Sequence, residues 1–298
     1  MRVNPFYLSN LAASLNQSQA NEQQLSAELS SGARVNSLSD DPLAAGENVL
    51  LLNQIQRDDS FTQTSSLVQG QLQVTDSALG GVVSQLTQAI SLATSANNGT
   101  LNSSDLKSIS NQLAGIRDEV VALANTSYQG QFIFAGSQTG TVPFGVSNTS
   151  PAVATYNGDE NVNFLVTPNG QRIQLNVPGD QIFMAGGGND VLGTLNCLVA
   201  DFASGTASST AVADTTALST ALNYVSQQRV VLDNSLTRLT AATDAAGSGK
   251  TQLTAAQTNL MQADVADIAT QLSLSKTQQT ALESVIAQLG GGSLFDKL

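Results

Sequence analysis

"LSSGARVNSLSDDP", residues 29–42, decides how this chain is put together. It gathers Gly32, Arg34, Asn36, Asp40, Asp41 and Pro42 into one short stretch of a chain built mainly from Ala, Leu, Ser, Thr, Gln and Asn. Gly32 stands where a helix ends in a left-handed cap. Asp41 suits the N-cap of a following helix, and Pro42 its first turn. Arg34 and Asn36 are placed to hold the intervening loop by hydrogen bonds. Asp40 and Asp41 could be a carboxylate pair, but no other ligand type lies near them in sequence. The stretch reads as a junction between two helices.

Working outward, Leu8, Leu11, Leu15, Leu25 and Leu29 follow alternating steps of three and four, with Ser18 and Glu22 filling the remaining seam positions. That heptad pattern marks a helix docking on another helix. The same rule runs through Phe61, Val68, Leu72, Leu79, Val82, Leu86 and Ala93. It recurs through Leu106, Ile109, Leu113, Ile116, Val120 and Leu123. Toward the other end come Leu218, Leu222, Val225, Leu232, Leu236 and Leu239, then Met261, Val265, Ile268, Leu272, Leu282, Ile286 and Leu289, with Ser275 and Gln279 as polar interruptions.

The middle differs. Pro143, Pro151, Pro168 and Pro178 cluster there, as do most of the aromatic residues. "VNFLVTPNGQRIQLNV" has two β-type runs about a Pro-Asn-Gly turn, a hairpin signal. "GQFIFAG" and "ATYNGDE" suggest further strands and turns, and 203–216 reads as a Gly/Ser/Thr-rich connector. The fold class expected is mainly α with a small β domain: an elongated antiparallel helical rod or coiled coil formed by both chain ends, with the β-rich outer domain inserted in the middle. The expected division is 1–40 with 256–298 as the terminal helical domain, 41–139 with 211–255 as the helical rod, and 140–210 as the outer domain with its connector.

Composition narrows function. A net charge of −12 argues against nucleic-acid or anionic-membrane partners. No run approaches the length of about 18 apolar residues that a membrane helix needs, and the opening "MRVNPFYLSN" shows no signal-peptide core. There is no His, so the usual general base and imidazole ligand are missing. The single cysteine, Cys197, lies in the run Leu192, Leu195, Leu198 and reads as a buried small hydrophobe. "GSGKT", 247–251, lacks the first glycine of a phosphate loop, where Asp244 stands, and reads as a helix interruption. "GGGNDVL", 186–192, is one isolated turn of a calcium-repeat pattern, and reads as a loop in which Asp190 caps the next helix. No enzyme, cofactor or metal site is expected.

At this point a resemblance enters. "LSSGARVNSLSDDP" resembles the N-terminal signature of the bacterial flagellin family, with Leu29, Ser30, Ser31, Gly32, Arg34, Asn36, Ser37, Asp40, Asp41 and Pro42 at its positions. "NLMQADVADIATQLSLSKTQQTALESVIAQL" is similar to that family's terminal domain, with Asp264, Ala266 and Gln279 at motif positions. "GQFIFAGSQTGTVPF" (130–144) and the ending "SLFDKL" are similar to a junction member of the family, although Lys297 stands where an aromatic is common.

The resemblance implies a structural, non-enzymatic subunit that joins the hook, through hook-associated protein 1, to the flagellin filament. It implies a ring of copies, an export chaperone on the C-terminal helix before secretion, and export through the flagellar secretion channel without a cleavable signal peptide. The alternatives are a short flagellin forming the filament itself and, more distantly, a secreted helical effector or translocator. The chain ends would then pair antiparallel along an assembly seam. Matching the polar layers sets Ser18 opposite Gln279 and Glu22 opposite Ser275. The same register pairs Leu8 with Leu289, Leu11 with Ile286, Leu15 with Leu282, Leu25 with Leu272 and Leu29 with Ile268.

Overall fold

The computed structural model describes residues 5–146, 154–186 and 188–290. Seven helices dominate them: α1 (Pro5–Ser31), α2 (Pro42–Ala96), α3 (Ser103–Ala124), α4 (Gly179–Phe183), α5 (Val191–Ala203), α6 (Ala211–Met261) and α7 (Val265–Gly290). Six short strands form three antiparallel pairs: β1 (Ser127–Tyr128) with β2 (Gln131–Phe132), β3 (Phe144–Val146) with β4 (Ala154–Tyr156), and β5 (Phe164–Val166) with β6 (Arg172–Gln174). The protein is mainly α with a small β region, as its periodicities require.

The chain divides into two compact units, Met1–Arg57 with Gly249–Leu298, and Asp58–Ser248. The sequence had suggested three parts, cut near 40, 140, 210 and 256. Instead both cuts fall within α2 and α6, and the β region shares a unit with the helices around it. The reason is its core. Phe183 packs edge-on against Phe134 and Phe144, each at 5.3 Å between ring centroids. These rings belong to one cluster with Leu192, Leu195 and Leu198 of α5, Leu113 of α3, Leu79 of α2 and Val225 of α6.

The heptad positions make that core. Phe61, Val68, Leu72, Leu79, Val82, Leu86 and Ala93 are all buried, as are Leu106, Ile109, Leu113, Ile116 and Val120. Capping sets the helix starts. Asn102 Oδ1 accepts from Ser104 N–H at 2.8 Å and Asp105 N–H at 2.9 Å, and Asp190 Oδ1 from Gly193 N–H at 2.7 Å. The expected hairpin forms at β5–β6, closed by Gly170 N–H donating to Thr167 O at 2.9 Å, with Gly170 at φ +80 supplying the left-handed turn residue. Asn125, just past α3, clamps β3 from both sides: its amide donates to Phe144 O and its carbonyl accepts from Phe144 N–H, both at 2.8 Å.

Three local expectations fail. Cys197 is exposed; Val191, Leu192, Leu195, Leu198 and Phe202 form the buried face of α5, and residue 197 falls on the other side of the turn. The connector is shorter than 203–216, because Ala203 closes α5 and α6 already begins at Ala211. "GSGKT" does not interrupt a helix but lies inside α6, where no atom stands within 4 Å of a Cβ built on Gly247. An exposed glycine costs a long helix only about 1 kcal/mol, too little to break one held along its length by packing.

Candidate functional site: the helix joint and the paired terminal helices

Residues 29–42 form a joint with two halves, of which the sequence revealed one. Gly32 ends α1 at φ +67, with its N–H on Glu28 O at 2.8 Å. Asp41 caps α2: its Oδ1 accepts from Ala44 N–H at 3.0 Å, and its carbonyl accepts from Ala45 N–H at 2.9 Å. Pro42 opens the helix, where its missing N–H costs nothing. Asp40 organises the turn, accepting from Asn36 N–H (3.0 Å), Ser37 N–H (2.8 Å) and the Ser37 hydroxyl (2.8 Å). Asn36 donates its amide back to Ala33 O at 3.0 Å.

Arg34 reaches further. Its guanidinium donates to Asp41 Oδ2 at 3.0 Å and to the Leu260 carbonyl at 3.1 Å, tying the start of α2 to the end of α6. The other half of the joint is the gap between α6 and α7. Arg34 N–H donates to Met261 O at 2.7 Å and Ala263 N–H to Gly32 O at 3.0 Å, an antiparallel bridge centred on Ala33 and Gln262. Asp264 then caps α7, accepting from Ala266 N–H at 3.0 Å and Asp267 N–H at 3.2 Å. Val35, Ala44, Ala263 and Ile268 are buried in this unit. The sequence reading gave Met261–Asp264 no part in the joint. The available signal was the aspartate of "ADVAD" ahead of an apolar-periodic run, with a second acid in the first helical turn.

Both carboxylates of the joint hold their charge firmly. The Ser37 hydroxyl, followed by the Ser37 and Asn36 N–H groups, keeps Asp40 below the usual carboxyl range. The Ala44 N–H, followed by Arg34, does the same for Asp41. The Arg34–Asp41 pair is solvent-facing, so its value is geometric more than energetic. The arrangement holds helices in place and presents no group poised for proton transfer.

Below the joint α1 packs on α7. Leu11, Ser18, Ile268 and Ser275 are buried, and Leu15, Glu22, Leu25, Leu272, Gln279, Leu282 and Ile286 are partly so. Leu29 is exposed at the helix end, and the side chains of Leu8 and Leu289 lie outside the described residues. The recorded polar contacts differ from the expected pairing. The Ser275 hydroxyl lies 3.5 Å from Ser18 O, one helical turn from Gln279, and Lys276 Nζ lies 4.0 Å from Glu22 Oε1. Two small hydroxyls share the buried layer, and the acid turns to an ammonium at the rim, where its charge stays hydrated.

Two long terminal helices that pack on each other below a capped joint define a helical protein whose chain ends pair. Residues 6–139 match the bacterial flagellin N-terminal helical region. The chain resembles the bacterial flagellin family and, within it, flagellar hook-associated protein 3. It is 33% identical to that protein of Salmonella typhimurium over 155 residues, 52% of this chain and 47% of the relative. It is 34% identical to that of Escherichia coli over 128 residues, 43% of this chain and 40% of the relative. The aligned segments thus span less than half of each curated relative. The fold matches a solved flagellar hook-associated protein of Vibrio parahaemolyticus at a TM-score of 0.65, with 21% identity, over 75% of this chain and all of that one. No helix among the described residues is long and apolar enough to cross a membrane.

Proposed function

We propose that this chain is a structural, non-enzymatic subunit of the bacterial flagellum that joins the hook, through hook-associated protein 1, to the flagellin filament. The observation that carries this reading is the kinship with flagellar hook-associated protein 3. The site geometry agrees with it: each resource at the joint is spent on helix ends and loop hydrogen bonds. In this reading Gly32, Arg34, Asn36, Asp40, Asp41 and Pro42 hold the terminal helices at a fixed angle of departure. The α1–α7 seam supplies the packing mode shared with neighbouring copies in a ring. The chain leaves the cell through the flagellar secretion channel, an export chaperone covering its C-terminal helix beforehand.

The match to the flagellin N-terminal region supports one second reading, a short flagellin that forms the filament itself. Immunogold labelling of sheared flagella separates them. The junction reading expects one band at the hook–filament boundary; labelling along the whole filament, or long filaments grown from the purified chain alone, would establish the second.

A further inference from the structure

The dipeptide Asn-Gly occurs at 98–99, 157–158 and 169–170. Asparagine is chemically labile, and most so before glycine, which has no Cβ to keep its backbone nitrogen away from the neighbouring side-chain amide. As dipeptides the three pairs are equal. Their surroundings make them unequal.

At 169–170 the nitrogen is already spent. Gly170 N–H donates to Thr167 O at 2.9 Å, and the turn is locked around it by Thr167 N–H on Gln171 O at 2.8 Å and Gln171 N–H on Thr167 Oγ1 at 3.0 Å. At 157–158 the peptide is walled in. A Cβ built on Gly158 would stand 2.8 Å from Ala135 O and nearer still to the Tyr156 side chain. That side chain is itself held, its hydroxyl 2.8 Å from Asp159 O and 3.0 Å from Phe134 O, while Asn157 N–H donates to Pro143 O at 2.8 Å. The peptide cannot swing toward the Asn157 side chain without displacing the ring.

At 98–99 neither restraint applies. Asn98, Gly99 and Thr100 are exposed in the loop between α2 and α3. Gly99, at φ +68, has open space where a Cβ would be. Among the described residues its N–H has no acceptor and the Asn98 side chain has no hydrogen-bond partner. The neighbours fix the ends of the loop and leave its middle free. The Asn97 amide donates to Ala211 O and Thr215 Oγ1, and Asn102 caps α3.

We propose that Asn98 is a self-modification site, the Asn-Gly pair that closes to a succinimide in the folded chain while the fold holds the other two back. The Gly99 nitrogen loses its proton to solvent base and bonds to Asn98 Cγ. The Cγ–Nδ2 bond breaks, and Nδ2 takes up a proton and leaves as ammonia. Solvent water then opens the ring at either carbonyl. One opening gives an aspartate at position 98; the other gives an isoaspartyl link that routes the backbone through the side chain. Nothing is oxidised or reduced. Either product sets a carboxylate just past Ala96, the end of α2, where the exposed helix carbonyls oppose a negative charge. The α2–α3 turn is thus where an ageing chain gains charge.

Peptide mapping by mass spectrometry tests this on the full chain, incubated in mildly alkaline buffer and sampled over days. In the folded chain the Asn98 peptide should gain the mass of deamidation roughly tenfold or more faster than the Asn157 and Asn169 peptides, which must wait for local opening. In denaturant the three rates should converge, because the dipeptide is the same and the restraints are gone. Fragmentation should find both aspartate and isoaspartate at position 98. Equal rates in the folded chain, or a lead by Asn157 or Asn169, overturn the proposal. An Asn98 lead that persists unchanged in denaturant overturns it too, since flanking sequence and not the fold would then set the order. Aspartate without isoaspartate overturns the route, because water would have attacked the side chain without the Gly99 nitrogen.

Discussion

The N–H of Ala263 donates to the carbonyl of Gly32 at 3.0 Å, so two helix ends from opposite halves of the sequence share a backbone hydrogen bond. This bond and its neighbour from Arg34 N–H to Met261 O need no side chain. They need Gly32 in the left-handed region, where its φ is +67. No atom lies within 4 Å of a Cβ built there, so a substitution is resisted by backbone conformation alone. Gly32→Ala should cost about 1–2 kcal/mol, Gly32→Asn less, and Gly32→Val the most. Denaturant unfolding, with hydrogen exchange at the Arg34 and Ala263 amides, measures the order. Equal stability of the Val and Asn variants would show that the left-handed cap is not what the glycine supplies.

The two neighbouring acids should respond differently to substitution. Asp41→Ala removes both the acceptor for Ala44 N–H and the partner of Arg34. Asp40→Asn keeps an oxygen for the Asn36 and Ser37 N–H groups, and the Ser37 hydroxyl can turn to accept from the new amide. Asp41→Ala should therefore loosen the joint more. Both carboxyls sit below their ordinary range, so their contribution is present above pH ~4 and fades as pH falls through the lowered values. Amide protection at Asn36, Ser37 and Ala44 should drop on acidification and stay level on alkalinisation. A rise in protection in acid would reverse this sign.

What the sequence disclosed and what it hid divide along one physical line. Gly32, Asp41 and Pro42 act on backbone within four residues of themselves, so their roles could be read from spacing. The heptad positions in α2 and α3 could be read because burial repeats with the helix. The bridge from Ala33 to Gln262 could not, because backbone amides carry no residue signature and the partner segment lies near the other chain end. The exposure of Cys197 was hidden for a related reason: an apolar run on a short helix does not say which of its members turns outward. "GSGKT" misled because glycine's cost is small beside the packing of a helix of 51 residues.

Tyr128 offers a test of close packing. Its ring lies over Gly70 of α2, where an added Cβ would come within 3.0 Å of Cζ and nearer still to the hydroxyl. Gly70→Ala gains helix propensity but should force the tyrosine aside, for a net loss of about 1–3 kcal/mol as in other overpacked sites. Tyr128→Phe removes the atom that meets the methyl group first. The double variant should recover part of the loss, and a double-mutant cycle measures the coupling. Additive losses would mean that the ring already has room to move.

Ser18 makes the last test, at the centre of the seam. It is 9% exposed, and its hydroxyl has no partner among the described residues. Ser275, across the seam, spends its own hydroxyl on the Ser18 carbonyl at 3.5 Å, too long to contribute much. A buried hydroxyl without a partner is a net cost, so Ser18→Ala should strengthen the α1–α7 pair by about 1 kcal/mol. Ser275→Ala should be close to neutral, because the bond it loses is weak and the carbonyl it leaves is already bonded within its helix. Hydrogen exchange along α1 in the full chain reads both effects directly. If Ser18→Ala lowered protection instead, the hydroxyl would be engaged in solution, and the polar layer would be holding the two ends together. If protection rose, the layer would be a weakness kept within the seam. Its justification would then lie in contacts that the isolated chain does not make, and assembly of Ser18→Ala with neighbouring copies should be impaired even as the free subunit becomes more stable.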